Sequence, residues 1–222
     1  VSINDFKKTA TRIISEFTAF LPYLKDIRIS NNLVELMGYI EFHQWLKPKT
    51  QNEVIVMKHL INSIENNDLK GLFNLALIQA ATESSNASFC PGTSFYPFRK
   101  KPNFSDSFLQ KLKIIMQDLT FAQKIKSDGI CEVFNNDCRK ASKFIKPNSV
   151  DFLFTSPPYP NDMEYTRQTR LSLFLLDYVK SIYDVKKIKK NMVKGSTKLI
   201  FTESNSSQYV EHNNQVQTVA KQ

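Results

Sequence analysis

At 222 residues, with 41% hydrophobic residues and 17 phenylalanines, the chain is large enough to bury a core without staples and too apolar for global disorder. No run approaches the ~18–20 uninterrupted apolar residues of a membrane span, and Val1–Phe6 leads straight into a charged, amphipathic stretch instead of a secretory signal. Thirty Lys and Arg against 21 Asp and Glu leave a formal net charge of +9, which favours a polyanion as partner.

In chain order, Phe6, Ala10, Ile13, Ile14, Phe17, Leu21 and Leu24 recur at helical spacing and predict a helix over 6–28, broken near Pro22. Val54, Met57, Ile61 and Ile64 predict a second over 52–66. Leu69, Leu72, Phe73, Ala76, Leu77 and Ala80 predict a third over 69–84. Pro91, Gly92, Pro97 and Pro102 punctuate a loop from Ser85 to Phe104. Ser105 then reads as the N-cap of a helix reaching about residue 125. Residues 1–125 are thus expected to form a mainly helical region.

The pattern changes near Gly129. Ile130–Phe134 and Val150–Phe154 are short runs rich in strand formers, separated by a short helix and turn over Lys140–Asn148. Strand, helix, strand is the pattern of a parallel βαβ unit. A further helix is predicted over Glu164–Ile182. The expected fold class is α/β, a partial Rossmann-like sheet occupying 126–203 behind the helical region, with a polar, frayed tail at 204–222.

Cysteines and histidines give no site. Cys90, Cys131 and Cys138 are odd in number and read as reduced cytosolic thiols. His43, His59 and His212 share no ligand spacing with them, so no metal site is expected. Five glycines fall far below the usual ~7%, and no G-x-G occurs, which argues against a glycine-rich phosphate or dinucleotide loop.

The sharpest feature is the run Val150–Phe154 emptying into Thr155-Ser156-Pro157-Pro158-Tyr159. Ligand sites in open α/β sheets lie beyond the carboxyl ends of the strands. Consecutive prolines lack N–H groups and leave their surroundings rich in carbonyl acceptors. Acceptors beside the Tyr159 ring suit a planar ligand bearing an amino group, such as a nucleobase.

Ser149–Tyr159 resembles the catalytic motif of the amino-group DNA methyltransferases, which methylate cytosine N4 or adenine N6 with S-adenosylmethionine; the Thr-Ser-Pro-Pro-Tyr form is most similar to the cytosine-N4 branch. The resemblance covers about residues 129–178. It implies that Ser156 and the Pro157 carbonyl hold the two amino hydrogens, with Pro158 fixing the turn and Tyr159 stacking on a base flipped from double-stranded DNA. The amino lone pair then points at the sulfonium methyl for direct transfer. It also implies that Asp137 accepts a hydrogen bond from the cofactor's adenine, although Asp137 reads equally well as a helix N-cap. The alternatives are an RNA guanine-N2 methyltransferase and an inactive nucleic-acid-binding remnant. A restriction endonuclease is a further candidate partner that the resemblance leaves open.

Cationic candidates for DNA are Arg167 and Arg170 after the motif, and Arg99 and Lys100 in Phe95-Tyr96-Pro97-Phe98-Arg99-Lys100-Lys101. That loop reads alternatively as one that packs its aromatics on the core. The family's Phe-x-Gly-x-Gly cofactor turn is missing. With the chain starting at Val1 and its first Met at Met37, the expectation is the catalytic middle of a larger cytoplasmic enzyme whose cofactor strands precede Val1.

Overall fold

The computed structural model describes residues 1–24, 45–88, 94–96, 98–125, 129–156, 165–193, 208 and 211–220. Packing divides it into two units: Val1–Lys126 with Tyr165–Val185, and Ser127–Glu164 with Lys186–Gln222.

The first unit is a helical bundle. Helix α1 (Ile3–Phe20) starts at Ser2, whose hydroxyl accepts from the Asn4 and Asp5 amides, and buries Phe6, Ile13 and Phe17. Pro22 cannot continue the ladder, and the chain tightens into a 3₁₀ turn at Leu21–Tyr23. Helix α2 (Pro48–Asn62) begins four residues before the predicted start at 52, because Pro48 occupies the first turn, where a missing N–H costs nothing. Helix α3 (Asn67–Ser84) is capped by Asn66, which accepts from the Leu69 amide at 2.9 Å.

After α3 come the two-residue strands β1 (Ala87–Ser88) and β2 (Ser94–Phe95), paired antiparallel. Helix α4 (Phe104–Lys124) is capped by Asn103 instead of Ser105: the side-chain Oδ1 of Asn103 accepts from the Ser105 amide at 3.1 Å.

Phenylalanines knit the bundle together. The Phe6 and Phe73 rings lie 5.2 Å apart, and Phe104 stacks on Phe108 at 6.0 Å while meeting Phe17 edge-on at 6.5 Å. Contacts of this kind add roughly 0.5–1.5 kcal/mol each beyond area burial. Helix α5 (Tyr165–Leu175), which follows the motif in sequence, places Leu171 and Leu175 in the same cluster.

The helix predicted over 164–182 ends at Leu175, and a second helix begins only at Ile182. α5 ends in a Schellman arrangement with Asp177 left-handed at φ 60°: the Tyr178 amide donates to Leu173 O and the Asp177 amide to Phe174 O. Helix α6 (Ile182–Asn191) restarts at a reciprocal capping box, in which Asp184 Oδ2 accepts from the Ser181 amide and Ser181 Oγ from the Asp184 amide.

In the second unit the α/β expectation fails. Among the described residues the only strand pairing is β1 with β2, and both Ile130–Phe134 and Val150–Phe154 lie outside regular structure. Their side chains face solvent: Ile130 is 92% exposed, and Phe152 and Phe154 are 80% and 89% exposed. Strand propensity expresses fit to a pleated surface that neighbours cover, and two five-residue runs cannot supply that surface by themselves. What the unit does form is a 3₁₀ segment, Cys138–Lys143, kinked at Lys140, with the Phe134 and Phe144 rings stacked at 5.5 Å beside it. Toward the carboxyl end, helix α7 (Asn214–Ala220) is capped by Asn213.

Among the described residues no helix is long and apolar enough to cross a membrane.

Candidate functional site

Asp137 is the best-defined of the sequence-predicted residues. It is the N-cap of the 3₁₀ helix, and Oδ1 accepts from the Arg139 amide at 3.0 Å. The Arg139 guanidinium wraps the same carboxylate, with Nε 2.9 Å from Oδ1 and 3.0 Å from Oδ2, and Nη2 2.8 Å from Oδ2. The four contacts use the acceptor directions of a carboxylate. The guanidinium bonds hold its pKa below the usual carboxylate range.

Arg139 Nη2 also donates to the Asn191 carbonyl at 2.9 Å, placing a cation at the C-terminus of α6. Arg139 is the residue that sequence reasoning missed. Its signal was there: an arginine two residues after an N-cap aspartate can fold back onto it.

Ser156 is exposed, at the end of the irregular stretch that carries Phe152, Leu153 and Phe154. Pro157, Pro158 and Tyr159 lie outside the described residues. Asp137 and Ser156 belong to the second unit, whereas Arg99, Lys100, Arg167 and Arg170 belong to the first.

Within the first unit the aromatic and cationic loop is turned outward. Phe98 is 100% exposed and Tyr96 half exposed, so neither ring is buried in the bundle core. Arg99 and Lys100 are exposed beside them. Lys101 is less exposed, and burial, with Arg99 nearby, lowers its pKa. The Arg99 amide donates to Tyr96 O at 3.1 Å, a tight turn that puts ring and cations on one short segment. Exposed rings followed directly by exposed cations are what single bases and phosphates meet on nucleic-acid-binding surfaces.

On α5, Arg170 is half-buried, and the side chain of Arg167 lies outside the described residues. The second basic cluster, Lys186, Lys187, Lys189 and Lys190, is carried by α6.

S-adenosylmethionine, which the resemblance implies, needs an acceptor for its adenine amino group and close backbone approach to its methionine part. Asp137 presents a carboxylate already chelated by Arg139, and the sequence has no G-x-G turn. As arranged, the described residues do not fit the cofactor. The chain matches no family model, no curated protein and no solved structure.

Proposed function

We propose that this chain is the base-holding part of a DNA methyltransferase acting on an exocyclic amino group, cytosine N4 before adenine N6. The observation that carries the reading is the sequence Thr155-Ser156-Pro157-Pro158-Tyr159 behind an apolar run. The amino nitrogen of cytosine is a poor nucleophile, because its lone pair is delocalised into the ring. Ser156 and the Pro157 carbonyl would accept its two hydrogens and free the lone pair, while Tyr159 would compensate stacking lost when the base leaves the duplex. The exposed Phe98, Arg99 and Lys100 and the net charge of +9 support a nucleic-acid partner.

The Asp137–Arg139 chelate favours a second reading, in which the chain binds nucleic acid without transferring a methyl group. One experiment separates the two. DNA from cells expressing the chain within its full reading frame is digested and searched by mass spectrometry for N4-methylcytosine and N6-methyladenine, alongside Ser156→Ala and Tyr159→Ala. Methylation lost in both variants supports the first reading. Salt-sensitive DNA binding without methylated bases supports the second, and Phe98→Ala with Arg99→Ala should then weaken it. Methylation unchanged in both variants, or no DNA binding at all, sinks the assignment.

A further inference from the structure

Helices α1 and α4 leave a shallow trough between them on the outer face of the bundle. Two hollows of about 310 and 280 Å³ meet end to end, sharing Lys7 and Met116. Their walls follow α4 from Leu109 to Lys124, which at 1.5 Å per residue is ~22 Å, or about four helical turns. The floor is mainly aliphatic, built from Ala10, Ile14, Leu109 and Met116, with Phe121 two-thirds exposed at one end. Lys7, Lys113 and Lys124 stand along it, and among the described residues no carboxylate lines either hollow.

An apolar trough of this length, edged by one sign of charge, matches an amphipathic helix in both dimension and chemistry. The lysines choose among the occupants. A second copy would set the same lysines against each other across a two-fold, on a chain already carrying +9. A nucleic acid would satisfy the lysines but not the floor, which exposes one ring, Phe121, among aliphatic side chains where bases need successive rings. We infer that the α1–α4 trough docks an acidic amphipathic helix of a partner protein, with leucine-like anchors on Ile14, Leu109 and Met116 and carboxylates on Lys7, Lys113 and Lys124.

The test uses the full chain and a fluorescein-labelled helical peptide of roughly 16 residues, long enough for the four turns. It carries leucines at i, i+3, i+4 and i+7 with glutamates on its flanks; a second peptide replaces the glutamates by lysines. Anisotropy should show saturable binding of the acidic peptide only. Phe121→Glu, at a largely exposed position, should weaken it about tenfold. Lys113→Glu with Lys124→Glu should weaken the acidic peptide and admit the basic one, with circular-dichroism melts confirming an intact bundle. No binding overturns the inference, as does equal binding of both peptides. So does binding that the variants leave unchanged or that single-stranded DNA displaces.

Discussion

Glu53 has a side chain only 2% exposed, yet it is a carboxylate in a helical core. Burial raises its pKa above the ordinary value, against the opposing pull of Lys49 and a hydrogen bond with Ser105. The folded chain therefore holds this proton more tightly than the unfolded chain. Stability falls as pH rises from the unfolded pKa through the raised folded one, and the loss is complete above it. Glu53→Gln keeps an acceptor for Ser105 and removes the titration. Melting temperatures of the variant should exceed wild type by a margin that grows from acid to neutral pH; a constant margin would refute the argument. Asp137 has the opposite sign: with its pKa depressed by Arg139, its contribution is present above the unfolded value and lost as pH falls through the folded one. Gly71 offers a simpler test, since a Cβ added there meets nothing within 4 Å. Gly71→Ala in the body of α3 should stabilise by about 0.5–1 kcal/mol, read by urea denaturation.

Elements differ in how far they could be read from sequence. The first four helices were legible because Phe6, Ile13 and Phe17, like Leu69, Phe73 and Leu77, repeat at helical spacing and do face one core. Their starts were harder, since Asn103 and Ser105 are both good caps and only geometry selects Asn103. The break between α5 and α6 was written in Ser181-Ile182-Tyr183-Asp184, a capping-box signature, but an apolar stripe running from Leu171 to Ile182 hid it. Asp184→Ala removes the acceptor for the Lys180 and Ser181 amides. It should cost about 1 kcal/mol, seen as a lower denaturation midpoint. The strands failed for a different reason: Ile130–Phe134 and Val150–Phe154 have the right residue types, but strand formation depends on neighbours that the run itself does not specify. At the candidate site, sequence foresaw both roles for Asp137, and the capping role is the one its geometry displays.

For the molecule as a whole, the first unit is discontinuous in sequence. Leu171 and Leu175 share a core with Phe73 and Phe104, although the intervening residues 127–164 belong to the other unit. Leu171→Ala should cost about 2–5 kcal/mol and lower the melting temperature of the whole bundle, not that of a separate carboxyl-terminal piece. The arrangement also imposes an order on biosynthesis. A ribosome that has delivered α1 to α4 has made most of the bundle but not its closing helix. The slot for Leu171 and Leu175 stays open until the motif and its exposed phenylalanines have been translated. Nascent chains arrested before α5 emerges should be cleaved faster by protease than those arrested after it.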